Sequence, residues 1–204
     1  MSQGHDVERF DRWAPTYDRH HMQRLVFEPM QRTLLDVAAA QSPNAGAILD
    51  VGCGTGRLLR SARTRYPVAT LEGVDAAAGM VREAEALTPP GGGIRYRQGT
   101  AEALPFPDHT FDLVFSTMTL HHWNDQQKGI AEIRRVLAPG GLWLLADFMP
   151  SGYMRLVRRI FRMRQFPVRG EIDARLADAG LVVVAERKVP GLRGQVAVLA
   201  IGVR

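Results

Sequence analysis

Short apolar runs alternate with amphipathic stretches over most of the chain from residue 47 onward. Apolar runs of this kind, bounded by turn residues, predict buried β-strands, and the amphipathic stretches between them predict helices. The alternation is typical of an α/β fold, in which a mostly parallel sheet carries helices on both faces. The predicted strands are Ala47–Val51, Thr70–Asp75, Ile94–Gln98, Phe111–Ser116 and Leu142–Phe148.

The helix predicted after the fourth strand has both of its ends marked in the sequence. Asp125 is a good acceptor for the free amides of a helix N-terminus, and Ile130, Ile133 and Leu137 share one helical face. Pro139, which two glycines follow, predicts that the helix ends before it.

The C-terminal part predicts one more helix and two strands. Residues 170–180 have the helical pattern and end on a glycine, and the strand-like runs Leu181–Val189 and Val196–Val203 follow. A turn rich in proline and glycine separates these runs. A hairpin there would place an antiparallel strand at the end of the sheet, a feature that the simple dinucleotide-binding fold lacks.

The N-terminal forty residues lie outside this pattern. The motif FDRWAPTYDRH is followed by an apolar stripe at helical spacing, formed by Val26, Met30, Leu34 and Val37. The spacing predicts helices, which we expect to cover a ligand cleft.

A second segment outside the pattern, residues 149–169, contains a basic amphipathic stretch. Two faces at helical spacing are predicted, one with Arg155, Arg158, Arg159 and Arg162 and the other with Leu156, Val157, Ile160 and Phe161. Two interpretations stay open. The arginines form the solvated face of a lid helix, or the helix touches a membrane surface or an anionic substrate.

The composition predicts one cytoplasmic domain. The 204 residues are 46% hydrophobic, and no apolar run reaches the ~18 residues of a membrane span. We divide the chain into a helical cap (1–40), a ligand-binding core (47–148), a basic lid insertion (149–169) and a last helix with the hairpin (170–204).

The single cysteine, Cys53, is expected to pack rather than react. A net charge of +5 is weak evidence for nucleic acid, and we expect no such partner.

The most informative segment is ILDVGCGTGR, residues 48–57, in which an apolar strand ends in Asp50 and runs into glycines. Glycines at a strand-to-helix turn let a ligand approach the backbone closely. The carboxylate would repel a pyrophosphate and would attract an ammonium group. Arg57 stands where the dinucleotide fingerprint requires glycine or alanine.

This segment resembles motif I of the class I S-adenosylmethionine-dependent methyltransferases. Residues 71–80, 99–116 and 132–148 resemble later segments of that family. FDRWAPTYD resembles the opening of its type 11 branch, which includes the ubiquinone and menaquinone C-methyltransferases. The resemblance implies a Rossmann-like, seven-stranded, mostly parallel sheet with an antiparallel C-terminal hairpin strand, and S-adenosylmethionine (SAM) as cofactor, with S-adenosylhomocysteine (SAH) as its product.

The resemblance also implies roles at the methionine end of SAM. Asp50 would anchor the amino group, partly through water, and Gly52 and Gly54 would leave room for it. Tyr17 would close over the methionine moiety. Thr117, just past the fourth strand, would approach the same end, although ordinary packing explains it equally well.

At the nucleoside end, Asp75 would accept hydrogen bonds from both ribose hydroxyls. Ala76 and Met80 would pack against adenine, or belong simply to the core, and Ala101 would offer its amide to a ring nitrogen. Thr100 departs from the family, which usually has aspartate at this place to accept from the adenine amino group. A hydroxyl can also accept, but without the charge.

The sulfonium of SAM is already activated, so transfer needs mainly orientation of the acceptor and exclusion of water. A base is needed only if the acceptor holds a proton that must leave. His121 and His122 follow the fourth strand, and of this pair we select His121 as the candidate base. Tyr17, His20 and His21 are weaker candidates. No spacing of cysteine, histidine and carboxylate suggests a metal site.

The sequence therefore predicts transfer of a methyl group from SAM to a small-molecule acceptor. Two alternatives stay open: a module that binds SAM or SAH without turnover and engages a protein or nucleic acid, and an NAD-dependent oxidoreductase. The nature of the accepting atom and the oligomeric state are not predicted. Large apolar residues of the cap and the insertion favour an apolar or aromatic acceptor, although they fit an ordinary core equally well: Phe10, Trp13, Met22, Phe27, Phe161 and Phe166.

Overall fold

The computed structural model describes residues 3–20, 23–161, 163, 165–192 and 195–204. His21, Met22 and Arg162, which the sequence singles out, lie outside the described residues.

Seven strands form one sheet with the order β3-β2-β1-β4-β5-β7-β6. The first five strands of the chain are parallel, and β7 is antiparallel to both of its neighbours, β5 and β6. This confirms the predicted α/β fold. Because β7 lies between β5 and β6, the antiparallel strand is internal and β6 forms the edge. The strands are β1 (Ala47–Val51), β2 (Thr70–Asp75), β3 (Ile94–Gln98), β4 (Phe111–Thr117), β5 (Leu137–Phe148), β6 (Leu181–Lys188) and β7 (Val196–Val203).

Helices cover both faces of the sheet, and two short turns of other helical type join them: a π-helical turn at Gln23–Phe27 and a 3₁₀ turn at Leu120–His122. The helices are α1 (Gln3–Tyr17), α2 (Glu28–Gln41), α3 (Arg57–Arg65), α4 (Ala78–Leu87), α5 (Gln126–Val136), α6 (Tyr153–Ile160) and α7 (Arg169–Asp178). Side chains of α2, α3 and α4 pack on one face of the sheet, and those of α5 and α7 pack on the other. None of the helices in the described ranges is long and apolar enough to cross a bilayer.

The predicted start of α5 is confirmed, and its predicted end is wrong by one residue. The Asp125 side chain accepts a hydrogen bond from the amide of Lys128 at 3.0 Å. Leu137, which we placed on the helix, instead opens β5 and pairs with Phe111 of β4. Its backbone is extended, with φ −67° and ψ 127°, because the sheet has a place for it opposite Phe111. The glycine turn that follows is a bulge within β5.

The two N-terminal helices have different positions. The apolar stripe of α2 is buried, with Met30, Leu34 and Val37 in the core formed with the sheet. Of these two helices, α1 has described side chains in the ligand cavity that is treated below, and α2 has none. The expected cap therefore divides into a helix at the cavity and a helix on the sheet.

The loop between β3 and β4 is held by two charged residues of α5. The Arg135 guanidinium donates to the carbonyl oxygens of Leu104 at 3.0 Å and Phe106 at 2.7 Å. It also pairs with Glu132, whose second oxygen accepts from the amide of Leu104 at 2.8 Å. The hydrogen bond from Arg135 keeps the pKa of Glu132 below its usual value. We call this arrangement the α5 clamp. It fixes the loop that carries Thr100.

We predict that Arg135→Met lowers the free energy of unfolding by about 1–3 kcal/mol, because two loop carbonyls and Glu132 lose their donor. Chemical denaturation measures the effect. Arg134→Met is the matched control, because Arg134 is half-buried on the same helix and has no polar partner within the described residues. An equal loss in both variants would show that the α5 clamp does not stabilise the loop.

Candidate active site

A cavity opens at the carboxyl ends of β1, β2, β3 and β4. Strand order reverses beside β1, and in open α/β sheets ligands bind at such a point. The part of the cavity that the centre of a water molecule can reach has a volume of about 110 Å³. Nine of the ten residues predicted to bind the cofactor line it: Tyr17, Gly52, Gly54, Asp75, Ala76, Met80, Thr100, Ala101 and Thr117.

The glycine turn after β1 is shaped by close contacts. Gly52 has φ +76°, and a Cβ atom built there would lie 2.2 Å from Oγ1 of Thr119. Gly54 has φ +52° and no atom within 4 Å of such a Cβ, so only its backbone angle requires glycine. Its amide donates to Oδ2 of Asp75 at 2.8 Å. The turn therefore links β1 directly to the acid that ends β2.

Cys53, inside this turn, packs against β2. Its Sγ would lie 2.9 Å from a Cβ built at Gly73. Burial, and then the neighbouring Asp75 and Asp50, raise the pKa of the thiol well above its usual value. A thiol that stays protonated is a poor nucleophile, so a packing role fits the structure.

Asp75 is held rigidly at the cavity wall. Its Oδ2 accepts from Gly54 and its Oδ1 accepts from the amide of Ala77 at 2.9 Å. Burial raises the pKa of this carboxyl, and the two amides oppose that shift. Each oxygen keeps a further lone pair, so the carboxylate can accept from two hydroxyl donors. The role implied for the ribose is chemically possible and stays a prediction.

Asp50 lies outside the residues that line the cavity, yet it is the least satisfied polar group near it. The side chain is 1% exposed, and Oδ1 has no hydrogen-bond partner among the described residues. Burial, and then the charge of Asp75, raise the pKa of Asp50 to about 8. A buried carboxylate without a partner is costly unless a cation compensates it. A cationic group near this carboxyl would compensate its charge, and the predicted role of Asp50 toward the ammonium group of SAM stays a prediction.

Two aspartates of the FDRWAPTYD motif fasten α1 to the core. Asp11 accepts from the amide of Gly79 at 2.5 Å, at the start of α4. Asp18 accepts from the hydroxyl of Thr55 at 2.7 Å, in the glycine turn. The motif thereby places Tyr17, which lies between them in sequence, against the cavity.

The electrostatics of Tyr17 oppose a role as base. Burial, then Asp75 and Asp18, raise the pKa of this phenol to about 12. The hydroxyl stays protonated at neutral pH and can only donate or accept a hydrogen bond. The predicted closure of Tyr17 over the methionine moiety stays a prediction.

The adjacent histidines face different surroundings. His122 lines the cavity, and its ring lies 5.2 Å from that of Phe10. His121, the residue predicted as a base, does not line the cavity. Its Nδ1 lies 2.7 Å from Oδ1 of the fully buried Asp147, and its ring stacks on Phe166 at 4.5 Å. The catalytic role of His121 stays a prediction.

Several cavity residues escaped the sequence reasoning. The Trp123 indole donates to Oγ1 of Thr119 at 3.2 Å, and both residues line the cavity. Glu102 also lines it, and its carboxylate accepts from the amides of Asn124 at 2.8 Å and Asp125 at 3.2 Å. The contacts of Glu102 join positions more than twenty residues apart. The only sequence signal for Thr119 and Trp123 was their closeness to the end of the fourth strand.

Met118 is a further missed residue of the cavity wall. Its φ of +53° is unusual for a residue other than glycine, and its amide donates to the carbonyl of Ala146 at 2.8 Å. Strained backbone of this kind is concentrated at functional sites. It turns the chain at the end of β4 so that Thr117 and Thr119 both reach the cavity.

The residues suggested for an apolar acceptor are divided among several places. Phe10 lines the cavity, and Phe166 packs on His121. Trp13 and Phe27 pack edge-on against Tyr17 rather than lining the cavity. Phe161 is 70% exposed. Among the described residues, no group of three histidines, cysteines or carboxylates could hold a metal ion.

Comparisons with known proteins show similarity to methyltransferases. The family model described as "Methyltransferase domain" matches residues 49–145. A demethylmenaquinone methyltransferase of Thermus thermophilus is 36% identical over 69% of this chain and 64% of its own length. A malonyl-[acyl-carrier protein] O-methyltransferase of Geobacter sulfurreducens is 34% identical over 84% of this chain and 67% of its own length. The chain thus spans roughly two thirds or less of the length of such relatives.

A solved structure has the same fold over nearly the whole chain. It is the methyltransferase, described as putative, in complex with the Trm112 activator of Haloferax volcanii. The TM-score is 0.79 at 22% identity, over 95% of this chain and 96% of that one.

The fold is that of the class I SAM-dependent methyltransferases. The seven-stranded sheet with its antiparallel β7, the glycine turn and the carboxyl groups that end β1 and β2 fit that class. Within it, the chain belongs to the type 11 methyltransferase family.

We predict that Asp50→Asn stabilises the protein at high pH and weakens SAH binding. Folding raises the pKa of Asp50 from 3.8 to about 8, so the folded state holds a proton that the unfolded state loses between these values. The wild-type stability contribution therefore falls as pH rises through this window, by at most about 1.4 kcal/mol per unit, and asparagine removes that loss. SAH would lose the carboxylate that pairs with its ammonium group.

Denaturation at pH 5 and pH 9 measures the first effect, and calorimetry measures the second. Asp178→Asn, at an exposed position with no polar partner within the described residues, is the control. A stability difference between Asp50→Asn and wild type that does not grow with pH would contradict the raised pKa.

Proposed function

We propose that the protein transfers a methyl group from SAM to a small-molecule acceptor. The observation that carries this proposal is the buried Asp50 carboxylate, which has an unpartnered oxygen beside a cavity walled by Asp75. A cationic amino acid joined to a ribose satisfies both carboxylates at once.

SAM supplies the reactive methyl on its sulfonium, and the protein's contribution is to bind, orient and exclude water. Asp75 accepts from the ribose hydroxyls. Ala101 and Thr100, which precede the residues that the α5 clamp holds, meet the adenine edge. Asp50 ionises when the ammonium group binds, so binding below pH 8 releases a proton. Tyr17 on α1 covers the methionine end.

We propose His121 as the base for an acceptor that must lose a proton. Asp147 accepts from Nδ1 in the arrangement that leaves the lone pair on Nε2. His121 packs on Phe166 of the insertion, so the acceptor would meet it on that side. His122, in the cavity wall, contacts the bound molecules without taking the proton.

The proposed acceptor is apolar or aromatic. The support is the aromatic surface formed by Phe10 in the cavity and Phe166 over His121. The proposed compartment is the cytoplasm, because a single buried thiol without a disulfide partner fits a reducing environment.

Calorimetric titration with SAH tests the cofactor site. We expect micromolar binding by the wild type and at least about tenfold weaker binding by Asp75→Asn, because a charge-assisted acceptor is lost. Asp178→Asn should bind as the wild type does. NAD is the parallel ligand, and binding of NAD with no binding of SAH would refute the proposal.

The base is tested once an acceptor that loses a proton is found by screening for SAH release. We predict that His121→Ala lowers turnover at least about a hundredfold while SAH affinity stays unchanged. Asp147→Asn should lower turnover less and shift its pH profile, because the carboxylate orients the ring rather than taking the proton. Full turnover of His121→Ala from pH 6 to 9 would exclude the base, and a loss confined to His122→Ala would assign the role to its neighbour.

A further inference from the structure

The whole positive excess of the chain is concentrated in one short segment. Residues 149–169 contain six arginines and no acidic residue, whereas the other 183 residues hold 20 Lys or Arg and 21 Asp or Glu. Helix α6 lies in this segment, which we call the basic insertion. Its charge is therefore a local property and does not reflect the composition of the protein.

Helix α6 has large apolar side chains on the outside of the molecule. Tyr153, Leu156, Ile160 and, just after the helix, Phe161 are 73%, 60%, 64% and 70% exposed. No side chain of α6 is buried. Single exposed apolar residues are ordinary, but three on one short helix with a fourth directly after it form a patch that marks an interaction site. Folding of the core does not account for them.

Two arginines on the same outward surface have no partner in the described structure. Arg155 and Arg159 are exposed and form no ion pair or hydrogen bond within the described residues. Arg158, by contrast, donates to the carboxylate of Glu171 at 2.7 Å. The three arginines line a groove beside α6 in which Glu171 is the single acid. Two guanidinium groups are thus available to anions next to the apolar patch.

This combination selects one kind of partner. A nucleic acid would pair with the arginines but would leave four large apolar side chains against phosphates and water. A bilayer with anionic headgroups can accommodate both the apolar side chains and the arginines. The apolar side chains enter the boundary of the acyl chains while the arginines remain at the phosphates. The positive segment also complements the negative surface potential of such a bilayer.

We propose that α6 docks the protein on the surface of an anionic lipid bilayer. Tyr153, Leu156, Ile160 and Phe161 insert at the interface, and Arg155 and Arg159 bind lipid phosphates. This contact is peripheral and reversible, since a helix of eight residues buries little area. It requires neither SAM nor methyl transfer.

Docking would place the bilayer next to the side of the site that holds His121. Phe166 of the basic insertion stacks on His121, and Gln126 of α5 donates to the carbonyl of Gln165 at 3.0 Å. The segment that contacts lipid and the segment that packs on the site are thus continuous.

Co-sedimentation of the full chain with lipid vesicles tests the proposal. We expect binding to phosphatidylcholine vesicles that contain phosphatidylglycerol, and at least about tenfold weaker binding to pure phosphatidylcholine. Arg155→Gln with Arg159→Gln should weaken binding by about tenfold or more, at roughly fivefold per arginine. Leu156→Ser with Ile160→Ser should weaken it comparably, and the residual binding should become more sensitive to salt.

The matched control is Val68→Ser with Arg187→Gln, which removes an exposed apolar side chain and an exposed arginine elsewhere. It should bind vesicles as the wild type does. Tyr153→Trp adds a direct readout, since its emission should shift to the blue with anionic vesicles if α6 enters the interface. SAH titration of each variant shows that the fold is intact and separates this test from that of the proposed function.

Equal binding to neutral and anionic vesicles would overturn the proposal, as would an equal loss in the control or no binding at all. Tight binding of duplex DNA or RNA with no vesicle binding would assign the surface to nucleic acid. If inorganic phosphate competes with vesicle binding and the Leu156 and Ile160 substitutions have no effect, the α6 surface would be a phosphate-binding site only.

Discussion

The candidate site depends on the carboxyl groups of Asp50 and Asp75, which lie at the ends of neighbouring strands and have little access to water. Parallel pairing of β1 with β2 sets Asp50 opposite Gly73 and Val51 opposite Val74, so Asp75 lies just beyond the end of β1. The sheet thus forces both acids into one buried corner, where the charge of Asp75 helps to raise the pKa of Asp50. Backbone amides stabilise Asp75, but Oδ1 of Asp50 has no partner in the described structure. The arrangement of these two carboxyl groups favours binding of a cation.

The surrounding elements keep that corner closed and add further negative charge. Helix α1 is fastened by Asp11 and Asp18, and each of these carboxylates contributes to a raised pKa at Asp75 or Tyr17. A site meant for an anion would gain nothing from this arrangement. For a cationic ligand the same acids attract the ligand and fix the helix that covers it. Attachment of α1 and selection of the ligand therefore rest on the same electrostatics.

Local patterns were sufficient for the strands and the glycine turn, because burial and backbone geometry there depend on neighbours in sequence. Local patterns gave wrong or missing predictions where a residue far away along the chain determines the conformation. The side chain of Leu137 is compatible with a helix or a strand, and its pairing with Phe111 of β4 places it in the strand. Thr119 and Glu102 reach the cavity through contacts with Gly52 and with the amide of Asn124, far away along the chain. The choice between His121 and His122 likewise depends on Asp147, which no spacing reveals.

Helix α6 of the basic insertion differs from the helices that pack on the sheet, because burial of apolar side chains does not stabilise it. Helices α2, α3, α5 and α7 each bury apolar side chains against strands, whereas α6 buries none. The described structure leaves Leu156, Ile160 and Phe161 exposed, and this exposure is the observation on which the proposed bilayer contact rests. Because Phe166 ties the same segment to His121, a bilayer under α6 would also border the proposed acceptor side. An apolar acceptor dissolved in that bilayer could then reach the site without first entering bulk water, which links lipid docking to the chemistry proposed for the cavity.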